Sequence, residues 1–195
     1  SPKVNQGIKA YSKFDFVAGE QIIYSNDFSA DKEGELPISW NTNGNGVVAK
    51  FPSLKNTWVQ FYQNSMYLTD NKDTLSENYT IEFDLLFRRD NPKAAFPQIV
   101  FGILASGDLS TTDNSLLKDY TLNAAVDLKI QPYDNNGSHM HLETFSERKK
   151  YLNTDIKKTG HLQNYFNSPV HISMQVQKER LRIWMNEEKL YDLPK

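Results

Sequence analysis

The stretch HISMQVQKERLRIWMN, residues 171–186, carries two alternating runs on either side of a short polar break. In the first, Ile172, Met174 and Val176 fall on one side of an extended chain, and His171, Ser173, Gln175 and Gln177 on the other. In the second, Leu181, Ile183 and Met185 oppose Arg182, Trp184 and Asn186. Successive side chains point to opposite faces of a strand, so this period of two predicts half-buried antiparallel strands, each with a core face and an open face. TIEFDLLF (80–87) repeats the pattern, with Ile81, Phe83, Leu85 and Phe87 against Thr80, Glu82, Asp84 and Leu86. No apolar run at three-to-four spacing lasts four turns, so nothing calls for a long helix.

Working outward, further strands are predicted at KFDFV (13–17), QIIYS (21–25), GVVAKF (46–51), WVQFY (58–62), QIVFGILA (98–105), NAAVDLKIQP (123–132) and HLETF (141–145). Segments rich in Gly, Asn, Asp and Pro separate them, as turns require. Many short strands divided in this way predict an all-β, two-sheet antiparallel sandwich of the jelly-roll kind. SLLKDY (115–120) reads as one helical turn, and SERKKYLNTDIKKTG (146–160) as a long solvated hairpin or loop. The 195 residues suit one folding unit, a lead-in over 1–10 followed by the sandwich over 11–195.

Composition narrows the function. Twenty-two Lys+Arg against 24 Asp+Glu leave a net charge of −2, so no general basic field is present to hold nucleic acid or an anionic membrane. Aromatic content of 12% weighs against disorder. The absence of cysteine removes disulfides, thiolate metal sites and thiol catalysis. The longest mainly apolar run, Ile99 to Ala105, is far short of the roughly 20 residues of a membrane helix. The opening SPKVNQG has no Met and no charged segment followed by an apolar one, so any signal peptide is expected to have been removed, and the bare DLPK end reads as that of a fragment of a longer protein.

LSENYTIEFDLLF (75–87), followed by VHISMQVQKERLRIWMNEEKLYDLP (170–194), resembles the concanavalin A-like, laminin-G-like jelly roll. In that family a mid-chain strand of the T-I-E-F-D kind precedes a late closing hairpin. Here Lys178-Glu179-Arg180 makes one turn, and Asn186-Glu187-Glu188-Lys189 replaces the usual Asn-Gly or Asp-Gly turn. YSKFDFVAGEQIIYSNDFSADKEGELPISW (11–40) resembles the opening of the N-terminal region of Gram-negative OmpA-family outer-membrane proteins. Phe14, Asp15, Phe16, Gly19, Asp27, Phe28, Gly34, Glu35, Pro37 and Trp40 match it, whereas Ala18 and Leu36 depart from it. The resemblance implies a bacterial cell-envelope location, outer-membrane associated and either periplasmic or surface-exposed, with glycans or other envelope proteins as partners. Peptidoglycan would be held only by a C-terminal domain that these residues do not include.

The same sandwich includes glycoside hydrolases whose catalytic strand reads E-x-D-x-E, because bracketing a glycosidic bond takes a nucleophile and a proton donor. EFDLL (82–86) supplies Glu82 and Asp84, but Leu86 stands at the third acid position, so a non-catalytic strand is expected and the chain is not expected to be an enzyme. His139 and His141 would share a face of a strand as a two-ligand metal edge, but without cysteine or an acidic partner at diagnostic spacing no metal ligand is assigned. The remaining histidines are His161 and His171. No cofactor is expected. Structural calcium is frequent in the resembled superfamily, and Asp27 with Asp192 is the pair it leaves open, without EF-hand spacing. No G-x-S-x-G or phosphate-cradling glycine loop is present. Asn78-Tyr79-Thr80 and Asn136-Gly137-Ser138 match the glycosylation pattern, accidental in a bacterial protein.

The open faces hold the better candidates. Trp58, Gln60 and Tyr62 share one face opposite Val59 and Phe61, and Arg182 with Trp184 points away from the core side. Flat rings beside amides, Arg182 and the carboxylates of Glu82 and Asp84 are what a saccharide needs: its C–H face stacks and its hydroxyls take paired hydrogen bonds. The competing reading is that the N-terminal segment or the 146–160 loop covers these rings. Arg148, Lys149, Lys150, Lys157 and Lys158 offer either a contact for anionic surface glycans or a plain solvated loop. The expected function is a non-catalytic recognition or spacer domain, with a carbohydrate-binding module or a divergent glycoside hydrolase as alternatives.

Overall fold

The computed structural model describes residues 14–91, 93–121, 123–134, 137–156 and 162–194. Among them the chain is all-β: every sheet is antiparallel, none closes into a barrel, and the only helical element is a 3-10 turn at Leu162–Tyr165. The chain divides into two compact units, one built from 14–20, 75–88 and 165–194, the other from 21–74 and 89–164.

The first unit is a four-stranded sheet in the order β12-β11-β10-β5, from β5 (Tyr79–Leu86), β10 (Pro169–Gln177), β11 (Arg180–Met185) and β12 (Glu188–Pro194). Its register pairs Ile81 with Met174 and Met174 with Ile183, so the apolar positions of all three runs fall on one face, with Val170, Ile172 and Ile183 fully buried. A one-residue slip would turn this whole set to the polar side, which is why alternation fixes the register so firmly. Two-residue turns close the hairpins. Lys178 (φ 49°) and Asn186 (φ 52°) both take left-handed backbone there, and Asn tolerates that region, so the missing turn glycine is supplied for.

The second unit holds the sheet β6-β7-β8-β9, from β6 (Ile99–Ala105), β7 (Ala124–Asp134), β8 (Gly137–Ser146) and β9 (Lys149–Ile156). Leu128, Ile130, Met140 and Leu142 form its buried face. It also holds the hairpin of β2 (Gly46–Lys50) with β3 (Thr57–Phe61) and the short pair of β1 (Asn41–Thr42) with β4 (Tyr67–Leu68). Leu68, Leu116 and Leu117 make a smaller cluster of their own. Ser115 closes the expected single turn, its carbonyl accepting from the backbone of Lys118 and Asp119 at 3.0 Å each.

One expectation is corrected: residues 14–17 and 21–25 form no strand, because no neighbouring strand offers them a ladder. Of the two readings of 146–160, the described part takes the hairpin: Glu147 and Arg148 make a tight turn, and β9 pairs along β8 from there to Ile156. Residues 1–10, Lys13, Asn136, Lys157, Lys158 and His161 lie outside the described residues.

Candidate functional site

On the first unit, register places Thr80, Glu82 and Asp84 of β5 beside Gln175, Ser173 and His171 of β10, and the first two of these rows continue to Arg182 and Trp184 of β11. The structure therefore brings Glu82, Asp84, Arg182 and Trp184 onto one polar face. His171 bridges the two acids: Nδ1 lies 2.6 Å from Asp84 Oδ1 and Nε2 lies 3.0 Å from Glu82 Oε1. Partial burial works against a charged ring, but the hydrogen bonds and charges of Asp84 and Glu82 outweigh it and raise the His171 pKa above its ordinary value. Arg182 Nη1 donates to Gln175 Oε1 at 3.0 Å and to Gln177 Oε1 at 2.9 Å.

Because the pKa of His171 is raised, its contribution to stability is fully present below its unfolded pKa and is lost as pH rises through the folded one. The His171 imidazole, followed by two-dimensional NMR, is expected to titrate above 6.5, and the Glu82→Gln/Asp84→Asn double variant to bring it back toward that value. An unmoved midpoint would mean that the bridge does not form.

Of the two readings of the open-face rings, Trp184 follows the one in which the N-terminal segment covers it. It sits on the polar face, yet it is 0% exposed. Residues 14–19 cross that face without joining the ladder. Phe16 and Phe14 meet the indole edge-on, at ring separations of 5.3 and 6.4 Å. Asp15 lies between them, accepting from Trp184 Nε1 at 3.3 Å and from Lys189 Nζ at 2.8 Å. The Lys189 contact, aided by the indole, holds the Asp15 carboxyl below the usual range. Gln175 Nε2 donates to the Val17 carbonyl at 3.4 Å, and the Gly19 N–H donates to Thr80 Oγ1 at 2.9 Å. A Cβ on Gly19 would sit 3.3 Å from that hydroxyl, so glycine permits the close approach.

On the second unit, Trp58 and Gln60 share a face of β3 as expected, opposite Ala49 and Val47 of β2. Gln60 is exposed and Tyr62 is 46% exposed, whereas the Trp58 indole nitrogen is buried with no hydrogen-bond partner. The other face of the hairpin carries a row of rings. Phe61, 47% exposed, stacks on Tyr67 at 4.3 Å and lies 6.4 Å from Trp40, which in turn meets Phe28 edge-on at 5.5 Å.

The feature that sequence reading missed is on the polar face of β6–β9. Asp127 and Glu143 are register partners there, 0% and 4% exposed. Lys129 Nζ approaches Glu143 Oε2 at 2.5 Å, Lys150 bonds Oε1, and His141 Nε2 lies 3.1 Å from Oε1 while its Nδ1 bonds Asp155. Burial pushes Glu143 toward protonation, but the two ammonium groups outweigh it and hold its pKa at about 2. Asp127, by contrast, is raised by burial; Tyr120 Oη donates to its Oδ2 at 2.6 Å, and Oδ1 has no partner. A Cβ on Gly102, across β6, would stand 3.0 Å from that oxygen, so this glycine gives the buried acid its room. Beside the pair opens a depression of about 560 Å³ lined by Gln98, Lys129, Ser138, His139, His141, Glu143 and Asp155. Period two does put His139 and His141 on this one face, but the His141 nitrogens are already turned to carboxylates.

Among the described residues no group of three or more His, Asp or Glu has an arrangement that could hold a metal ion. Asp27 instead accepts from the Ser29 backbone at 2.9 Å and hydroxyl at 2.7 Å, and Asp192 takes Arg180 at 2.5 and 2.8 Å. No helix among the described residues is long and apolar enough to cross a membrane. No protein-family model matches the chain, and no curated protein matches it either.

Proposed function

We propose that this chain is a non-catalytic recognition domain of a bacterial cell-envelope protein, a concanavalin A-like jelly roll in fold, whose ligand is rich in hydroxyl groups. The observation that carries the reading is the depression over β6–β9, lined by seven polar side chains, the buried Glu143 among them. An amide, a hydroxyl, two imidazoles, two carboxylates and an ammonium in one concave patch are the groups that share hydrogen bonds with a saccharide's hydroxyls. The rings of Phe61 and Tyr62 add exposed apolar surface of the kind a sugar face covers. The envelope location is supported by the resemblance of residues 11–40 alone. Against catalysis stand Leu86 at the third acid position and the closure of Glu82 and Asp84 around His171. The spacer role is the alternative in which the depression has no ligand.

The test is a glycan-array screen of β-glucans, mucin glycans and peptidoglycan fragments, with and without Ca²⁺, followed by titration of any hit. Binding is expected to weaken at least tenfold in Asp155→Asn/His139→Ala. Silence across the array would leave the spacer role, and reducing-sugar release from a β-glucan that stops in Glu82→Gln would overturn the non-catalytic reading.

A further inference from the structure

The crossing of residues 14–19 over the first unit has the features of a bound peptide rather than of a core element. The segment makes no strand, and its contacts are discrete. Two neighbouring aromatic rings, at positions i and i+2, pack tilted against the Trp184 indole, and the acid between them takes an indole N–H and an ammonium. One backbone carbonyl and one backbone N–H are met by side chains of the sheet, Gln175 and Thr80. Its outer side faces solvent, with Phe14 41% and Val17 70% exposed. Beneath it, on the same face and in register between Glu82 and Trp184, Ser173 Oγ is fully buried and has no hydrogen-bond partner. A buried hydroxyl without a partner is destabilising, so the present occupant leaves this face incompletely satisfied.

We propose that the polar face of β5, β10, β11 and β12 is a docking groove for an extended protein segment of the pattern aromatic-acid-aromatic, and that residues 14–19 fill it as a displaceable intramolecular occupant. The chemistry of the partner follows from the occupant: neighbouring rings two residues apart to pack on Trp184, and a carboxylate between them for Lys189. A tethered occupant competes at an effective concentration that reaches the millimolar range for short flexible linkers, so a free segment of equal affinity binds the intact chain weakly. Weakening the internal contact then exposes the groove.

The test uses the full chain and a dye-labelled peptide of sequence FDFVAGE (14–20), read by fluorescence anisotropy. The Asp15→Ala chain is expected to bind the peptide at least tenfold more tightly than the parent. A peptide with Ala in place of its Asp loses that gain, and adding Lys189→Ala to the chain removes the preference between the two peptides. Phe14→Ser, at a half-exposed ring, is the second opening variant should Asp15→Ala fail to fold. Equal binding by parent and opened chains, binding indifferent to Lys189, no binding by a folded opened chain, or displacement by an oligosaccharide but not by unlabelled peptide would each overturn the proposal.

Discussion

Glu143→Gln is expected to lower the thermal midpoint by about 6–12 °C at neutral pH. The side chain is 5% exposed and answers two ammonium groups, and removing one partner of a buried ion pair costs about 3–5 kcal/mol because it strands the other charge. The low end applies, since the Lys129 and Lys150 side chains are 25% and 41% exposed and can turn toward water. A loss near 3 kcal/mol in a chain of this length moves the midpoint by the amount stated. The pH dependence identifies the cause. A carboxyl held at about 2, against an ordinary 4.5, stabilises the fold fully above its unfolded pKa and loses that contribution as pH falls toward the folded one. The gap between parent and variant is therefore expected to close between about pH 4.5 and 2 in urea titrations. A gap that stays constant through acid would trace the loss to packing rather than to charge.

Trp184→Ala is expected to cost about 3–5 kcal/mol, the range for deleting a large buried aromatic side chain. The ring is fully buried, edge-on to Phe14 and Phe16, with the Lys189 ammonium 5.5 Å from its centre. Trp184→Phe keeps much of the apolar contact and is expected to cost less than half as much. Urea unfolding followed by far-ultraviolet circular dichroism checks both. An exposed stacking platform would behave otherwise, since surface substitutions usually stay within about 0.5 kcal/mol. A small loss in Trp184→Ala would thus restore the open platform and remove the occupied groove.

The sheet of the first unit was legible in the residues because its chemistry is local and repeated. Ile81, Met174 and Ile183 alternate with polar neighbours, and burying one face of each strand leaves a single register that suits all three. The strand at 14–17 alternates just as well and was misread for that reason: period two tells which side of an extended chain is apolar, but a strand also needs a neighbour to take its backbone hydrogen bonds. Phe14 and Phe16 instead spend their apolar surface on Trp184, a residue 168 to 170 positions away by the numbering.

Asp127 and Glu143 left no sequence signal, since VDLKI and HLETF read as ordinary strands with one acid each on a polar side. Only pairing β7 to β8 puts the two acids side by side, and only β6 and β9 supply Gly102 and Lys150 around them. By itself the sequence determined the all-β class, the apolar face of each main strand and the polar character of the opposite faces, because those follow from alternation within a few residues. Which polar face is covered, which aromatic is buried and which carboxylates are forced together were decided by tertiary structure, because burial and electrostatic coupling depend on neighbours that are distant along the chain.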